Sequence, residues 1–233
     1  MKYLLIILAL LACVQLSAEQ LDSTQKYIMT ENCRNHRDKD SCQKLIDNGL
    51  LSVAECKESC SWIGIIYHRA GHSDKAAQYW AKSCDSQSLD ARAVANGCYN
   101  LGAFYARNKQ FDKSFALYQR VCDNFEDAED SILACNNVGI FYERGDGTKQ
   151  DFALAVKYYQ KAIELSIDFE LDEVMPIYYN LATLQESGQG TPKNLTQAKE
   201  NYKKACKFHK FRDSCQKYES LEKQCYKSGK CKE

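Results

Sequence analysis

The chain has 233 residues, no net formal charge and 45% hydrophobic residues. This length allows one domain with a continuous core, and zero net charge gives no overall signature of a nucleic-acid-binding protein. Helix-forming residues dominate and only two prolines occur, Pro176 and Pro192, so we expect an all-α protein. The charge is uneven: residues 123–173 hold 13 acids and 4 bases, whereas residues 196–233 hold 11 bases and 5 acids.

The N-terminus has the pattern of a secretory signal peptide, one positive charge at Lys2 followed by the short apolar run LLIILALLA. We expect residues 1–18 to be removed by cleavage before Glu19, and the protein to be secreted or periplasmic. An alternative is a lipobox that ends at Cys13, which would leave a lipoprotein anchored through that cysteine. Contact with a membrane is expected only in that second case.

The rest of the chain repeats itself with a period of about forty residues. Four full units cover residues 60–206, and their equivalent starting positions recur in register across the chain. An atypical N-terminal segment and capping repeat, residues 19–59, precede them, and a basic cap, residues 207–233, follows. Repeats of this period predict a solenoid of helix pairs. The units are assigned to residues 60–97, 98–134, 135–177 and 178–214.

Each unit reads as a first helix, an inner turn and a second helix. A small residue recurs in every first helix, where it would let the paired helices approach closely; these residues are Gly64, Gly102, Gly139 and Ala182. Residues 85–97 and 123–134 read as long connectors between units, and residues 166–177 as an acidic connector that carries Pro176.

The first-helix pattern NLG-x-F/L-Y, the second-helix pattern A-x-x-Y-Y-x-K-A and the glycine turns 145–147 and 188–190 resemble Sel1-like repeats. Sel1-like repeats are relatives of tetratricopeptide repeats. The added cysteines are similar to those of the Helicobacter cysteine-rich proteins, and the resemblance covers roughly residues 33–225. It implies an α/α solenoid (superhelix) stapled by disulfides. Members of that family are often named β-lactamases, so the resemblance implies a weak β-lactamase or penicillin-binding enzyme as an alternative function.

Twelve cysteines follow Cys13, and an even number in an exported chain favours disulfides over metal binding. Within the repeat register, one cysteine ends a second helix and another opens the next first helix. At the fourth junction the equivalent residues are Ile163 and Tyr178, so both cysteines are absent together, as pairing predicts. The expected bridges are Cys84–Cys98, Cys122–Cys135 and Cys206–Cys215 between units, with Cys33–Cys42, Cys56–Cys60 and Cys225–Cys231 in the caps.

Signals for an enzyme are poor. Three Ser-x-x-Lys matches occur, beginning at Ser41, Ser214 and Ser220, but no Ser-Asp-Asn accompanies them, and no catalytic residue is assigned. His68 and His72 stand four apart, but Gly71 separates them and no third ligand is placed to complete a metal site. We therefore expect no cofactor and no metal, and the sequence leaves open whether the chain is an enzyme.

The first helices are expected to line the concave side of the solenoid, where a ligand would bind. The expected partner is a protein, a peptide or a peptidoglycan-like component, with no nucleic acid, and the chain is expected to be a monomer. An assembly factor or chaperone is a further alternative. The recurring asparagines could instead hydrogen-bond the backbone of the next unit. The candidate groove residues are His68, Arg69, Asn100, Arg107, Asn137, Arg144, Asn180 and Gln185.

Overall fold

A computed structural model describes residues 23–35, 38–47, 56, 60–87, 90–126, 128–167, 174–206 and 212–228. All regular secondary structure in these ranges is helical. The chain divides between Tyr79 and Trp80 into two compact units. The predicted signal peptide and the possible lipidation site at Cys13 lie outside the described residues.

The first compact unit contains short helices packed around a small core. Leu45 and Ile66 are buried at its centre, and Met29 and Trp62 pack against them. The described helices are α1 (Ser23–Asn35), α2 (Lys39–Asp47), α3 (Cys60–Arg69) and the first part of α4 (Ser73–Cys84).

The second compact unit is a row of antiparallel helix pairs. Each first helix packs on the second helix of its own repeat, and each repeat packs on the next. Large side chains such as Tyr159 and Ile177 are fully buried between them. The helices are α5 (Ala91–Arg107), α6 (Phe111–Asn124), α7 (Glu129–Arg144), α8 (Phe152–Leu165), α9 (Met175–Ser187), α10 (Leu195–Cys206) and α11 (Arg212–Ser228).

The first helices begin well before the repeat cysteines, so the prediction of long connectors at 85–97 and 123–134 is wrong. α5 starts at Ala91, because the Asp90 carboxylate accepts hydrogen bonds from the backbone N–H groups of Arg92 and Ala93. Val94 then carries the apolar face of the helix upstream of the cysteine. The link into α5 therefore takes up only residues 85–90.

Small residues in the first helices permit close contact with a large ring of the paired helix, as the sequence predicts. A Cβ atom added to Gly139 would lie 2.5 Å from the buried ring of Tyr159. The equivalent distance from Gly102 to the Tyr118 ring is 3.0 Å. In the last full repeat Ala182 is fully buried in one cluster with Tyr202.

The inner turns with two glycines serve a second purpose, because they pack on the preceding repeat. Gly190 has φ +68°, and a Cβ there would lie 2.2 Å from the backbone carbonyl carbon and oxygen of Phe152, at the start of α8. Gly147 has φ +63°, and its Cβ would lie 2.4 Å from the backbone of Phe111, at the start of α6. Only glycine allows the two backbones to approach this closely.

Disulfides join consecutive repeats at the opposite end of the helix pairs from these turns. The bonded cysteines between repeats have Cα–Cα distances of 4.6 to 4.8 Å, within the usual range. Cys225 is also disulfide-bonded, whereas its predicted partner Cys231 and the side chains of Cys33 and Cys42 lie outside the described residues. The described pairs are Cys56–Cys60, Cys84–Cys98, Cys122–Cys135 and Cys206–Cys215.

Candidate functional site

The outward faces of α5, α7 and α9 form one surface of the second compact unit, which we call the first-helix strip. Residues spaced by three, four and seven positions share a face of a helix, and every member of the strip is exposed or half-buried. The members are Arg92, Asn96, Asn100, Ala103 and Arg107 of α5; Glu129, Leu133, Asn137, Ile140 and Arg144 of α7; and Pro176, Asn180, Thr183 and Ser187 of α9.

Side-chain amides bridge neighbouring first helices across this strip. The Asn137 side chain hydrogen-bonds the Tyr99 hydroxyl, and Asn180 Nδ2 donates to Asn136 Oδ1 at 3.3 Å. In both cases the asparagine at one repeat position bonds the residue one place earlier in the preceding repeat. The expected alternative, a bond to the backbone of a neighbouring unit, is therefore replaced by bonds between side chains. These bonds connect neighbouring first helices while leaving the amides partly accessible.

Asn100 differs from the other two asparagines, because its amide is used within its own helix. Asn100 Nδ2 donates to the Asn96 carbonyl at 2.8 Å and to Asn96 Oδ1 at 3.0 Å. Asn96 in turn donates to both carboxylate oxygens of Asp130, at 3.1 and 3.3 Å. The sequence interpretation did not include Asn96 or Asp130, since neither residue recurs at its position in the other repeats.

Asp130 is an acid beside this strip whose pKa departs from its ordinary value. Burial raises its pKa, and the hydrogen bond from Asn96 only partly opposes that effect. Asp130 lies at the N-terminal end of α7, in its first turn. It is thus a half-buried carboxylate that helps hold α5 and α7 together.

Arginines occupy the opposite, C-terminal end of the strip. Arg107 and Arg144 are both exposed and lie seven residues after Asn100 and Asn137, respectively. Their positive charges oppose the burial that raises the pKa values of nearby tyrosine hydroxyls, Tyr118 for Arg107 and Tyr159 for Arg144. In the sequence Arg69 occupies the same repeat position.

Gln185 was predicted to line the groove, and that prediction is wrong. Its side chain is only 6% exposed, and its Oε1 accepts a hydrogen bond from Asn201 Nδ2 at 2.9 Å. Its Nε2 lies 3.3 Å from Gln197 Oε1 on the same second helix. Gln185 falls three residues after Ala182 and one after Leu184, both buried, so it faces the helix pair and not the strip.

The histidines of the first compact unit are separated by the turn that the sequence predicts. α3 ends at Arg69, and Gly71 has φ +91°. His68 is half-buried, whereas His72 is exposed and its Nε2 lies 3.1 Å from Gln43 Oε1. No cluster of three or more His, Cys, Asp or Glu side chains that could hold a metal ion occurs among the described residues.

The serines of the three Ser-x-x-Lys matches lie in different environments. Ser214 is fully buried. The lysine of the same motif match, Lys217, places Nζ 2.9 Å from Glu186 Oε2. Ser41 is also buried and its hydroxyl donates to the Asp38 carboxylate, while Ser220 is exposed on α11. Ser214 is therefore not paired with Lys217 as a nucleophile with its base.

Glu186 is the centre of a polar cluster that attaches α11 to the last full repeat. It accepts hydrogen bonds from the Tyr202 hydroxyl at 2.8 Å and from Lys217 Nζ at 2.9 Å. Burial alone would raise the pKa of Glu186, but the bonds from Lys217 and Tyr202 outweigh it and lower the pKa.

We expect the second compact unit to lose stability as the pH falls below about 4.5, the ordinary pKa of Glu186. Its folded-state pKa is lowered, so its stabilisation is present above the unfolded-state pKa and is lost as the pH falls through the folded-state value. Glu186→Gln should cost about 1 kcal/mol at pH 7, because the ion pair is partly exposed. This cost should shrink towards pH 3 in urea unfolding curves.

Glu222→Gln is the matched control for this prediction. Glu222 also accepts a hydrogen bond from a tyrosine, Tyr218, but at an exposed position. Its substitution should change stability by less than about 0.5 kcal/mol. Equal costs at pH 7 and pH 3 for Glu186→Gln would contradict the assignment of this pH dependence to Glu186.

Comparisons with known proteins agree with this geometry. The family pattern described as "Sel1 repeat" matches residues 95–124, 132–166 and 178–207. These matches fall on the three helix pairs of the second compact unit. A search of curated proteins found no significant match. No helix of the described residues is long and apolar enough to cross a bilayer.

Solved structures provide further likenesses. A protective antigen of uropathogenic Escherichia coli with an SLR fold has a TM-score of 0.62 at 17% identity, over 85% of this chain. This chain spans only 40% of that protein. A Sel1 repeat protein from Oxalobacter formigenes has a TM-score of 0.56 at 17% identity, over 93% of this chain and 80% of that one. Helicobacter pylori cysteine rich protein B is 30% identical over 61% of this chain and 92% of its own length, with a TM-score of 0.42.

Proposed function

This chain belongs to the Sel1-repeat family, and from that premise we propose that it is an exported scaffold that binds a polypeptide segment on its first-helix strip. Sel1 repeats build a fold typical of proteins that mediate protein interactions. The proposed mechanism is presentation of a rigid surface, without covalent chemistry. A protein or peptide is favoured over a cell-wall component, because the strip displays the amide groups that match a peptide backbone.

The observation that carries this proposal is the row of partly accessible asparagine side chains that hydrogen bonds to neighbouring side chains hold in place. An asparagine side chain carries both donors and an acceptor, so it can pair with a peptide N–H and C=O at once. The bonds Asn137–Tyr99 and Asn180–Asn136 order these side chains before any ligand arrives. Ordering in advance lowers the entropic cost of binding.

Export is supported by the chemistry of the cysteines. Both cysteines of the Cys84–Cys98 and Cys122–Cys135 bridges are buried, and disulfides of this kind form in oxidising compartments. The predicted signal peptide is consistent with such a compartment. Anchoring through Cys13 remains the alternative proposal, and it would change the location of the scaffold but not the binding surface.

The test is selection of random 12-residue peptides on the oxidised protein. We expect enriched peptides that bind wild type and lose about tenfold in affinity with Asn100→Ala. Tenfold corresponds to about 1.4 kcal/mol, the scale of one hydrogen bond. The Asn100 amide donates only to Asn96 of its own helix among the described residues, so its substitution should leave the packing between the folded repeats unchanged.

Asn124→Ala supplies a matched control on a second helix. Asn124 Nδ2 also donates to the carbonyl four residues earlier, that of Arg120, at 2.9 Å. Its removal should leave peptide affinity unchanged. Failure to enrich any peptide, or equal losses in the two variants, would contradict binding at the strip. Turnover of nitrocefin by the purified oxidised protein would instead require an enzymatic function.

A further inference from the structure

The groove between the first helices α5 and α7 holds a carboxylate that no cation of the described residues neutralises. Asp130 is half-buried there, and both of its oxygens accept hydrogen bonds from the Asn96 amide nitrogen, at 3.1 and 3.3 Å. An amide satisfies lone pairs of a carboxylate but leaves its charge in place, and a half-buried charge is unfavourable without a counter-ion. A cation that enters this groove would therefore be stabilised.

The charged groups described near Asp130 do not provide a counter-ion. Glu129 precedes it in α7, is exposed, and adds its negative charge to the burial that raises the Asp130 pKa. Arg92 lies one turn before Asn96 on α5 and is exposed, but its guanidinium group pairs with neither acid. Burial and the Asp130 charge also raise the pKa of the Tyr99 hydroxyl, so that group lies within electrostatic reach of the carboxylate. The local charge balance, two acids and one base, is negative.

Other acids towards this end of the helix pairs already have a structural task. Asp123 Oδ1 and Glu126 Oε1, at the end of α6, lie 3.4 and 3.7 Å from Lys161 Nζ. Asp90 caps α5 by accepting hydrogen bonds from two backbone N–H groups. A cation bound at this end of the first-helix strip would therefore pair most favourably with Asp130.

The start of α7 does not account for the direction of this carboxylate. The helix dipole favours an acid in the first turn, and Asp130 has that position. Its oxygens nevertheless accept their hydrogen bonds from α5, and the N-cap residue Ala128 has no side-chain cap bond. Asn100 in turn orients the Asn96 side chain, with bonds of 2.8 and 3.0 Å. The carboxylate is thus held towards α5 and not used to cap its own helix.

The surroundings of Asp130 suit a basic side chain better than a metal ion. One half-buried carboxylate offers a divalent metal too few ligands. Leu133 and Asn137 follow Asp130 by three and seven residues, so the three side chains share one face of α7, and all are half-buried. An apolar side chain at Leu133 can cover the aliphatic stem of a lysine or arginine whose charge reaches the carboxylate.

We propose that the Asp130 groove, lined by Asn96, Tyr99, Asp130, Leu133 and Asn137, binds a lysine or arginine side chain of the polypeptide that lies on the first-helix strip. This inference rests on the proposed function and names a residue that the partner must carry. Hydrogen bonds between a cation and a carboxylate are stronger than those between neutral groups, so this contact would contribute to specificity as well as affinity.

The peptide selection described above tests this inference through a double-mutant cycle. Peptides enriched on wild type should share a lysine or arginine, and its replacement by methionine should weaken binding about tenfold. Asp130→Asn keeps the shape of the side chain and an acceptor for the Asn96 amide, but it removes the charge. This variant should bind the basic peptide about tenfold more weakly, and it should no longer distinguish the basic peptide from the methionine peptide.

Glu129→Gln is the matched control, because it removes the same charge from the adjacent, exposed position. It should leave affinity within about twofold of wild type and keep the preference for the basic peptide. Equal losses in the two variants would show a general effect of charge and overturn the inference. The same holds if Asp130→Asn weakens both peptides equally, since that would be a purely structural role. Enriched peptides without a basic residue would also overturn it while leaving the binding scaffold intact, whereas no enrichment at all would overturn the proposed function itself.

Discussion

Gly190→Ala is expected to destabilise the second compact unit by about 3–5 kcal/mol, lowering its melting temperature by about 10 °C or more. A left-handed conformation costs an alanine about 1–2 kcal/mol. The larger part of the destabilisation comes from the new Cβ, which would lie 2.2 Å from the Phe152 carbonyl group. A backbone group cannot rotate away as a side chain can, so the turn and α8 must separate.

Gly188→Ala isolates this contact, because it lies in the same turn and also has a positive φ, +78°. Its Cβ would lie 3.2 Å from Lys193 Cβ and 3.4 and 3.5 Å from the Lys193 backbone N and Cα, much farther than the 2.2 Å at Gly190. It should therefore cost only the conformational part, about 1–2 kcal/mol. Urea unfolding followed by circular dichroism measures both variants. Equal losses would show that the turn does not need its close contact with the preceding repeat.

The repeat architecture could be predicted because the positions that define it depend on local requirements. A small residue must face the ring of the paired helix, and a cysteine must have its partner at the adjacent junction. Both requirements appear in the sequence as similar residue types at equivalent repeat positions, as at Gly139 and at the pair Cys122 and Cys135. The absence of both cysteines at Ile163 and Tyr178 carried the same information.

Other features depend on contacts between residues that are distant in the sequence, and the residue types alone do not show these contacts. The glycine pattern predicts a turn at 188–190, but nothing in it shows that Gly190 faces the start of α8. The repeat cysteine marks a recurring position and not a helix start, because Asp90 caps α5 and Val94 extends its apolar face upstream of the cysteine. The Gln185 prediction failed because a polar residue was assumed to face outward from its helix.

Removal of the Cys122–Cys135 bridge is the second large effect. Cys122→Ala/Cys135→Ala should cost about 3 kcal/mol, the chain-entropy value for a loop of this length, with 13 residues of sequence separation. Cys122→Ala alone should cost at least as much and expose one free thiol, whereas the double variant should expose none. Thiol titration and unfolding curves check both results, and an unchanged melting temperature would contradict this stabilising role.

The same double variant tests whether junction geometry matters for binding. The bridge holds the end of α6 against α7 with a Cα–Cα distance of 4.8 Å, and α7 supplies both Asn137 and Arg144 to the strip. Without the bridge, α7 gains freedom that a bound peptide must remove, so affinity should fall at a temperature where the variant is still folded. Asn100→Ala removes a contact with the peptide without loosening a junction, so its loss of affinity should stay the same on cooling. The bridge variant, in contrast, should recover affinity on cooling. If the bridge variant binds as wild type does, the order of the strip comes from the hydrogen bonds between repeats and from packing.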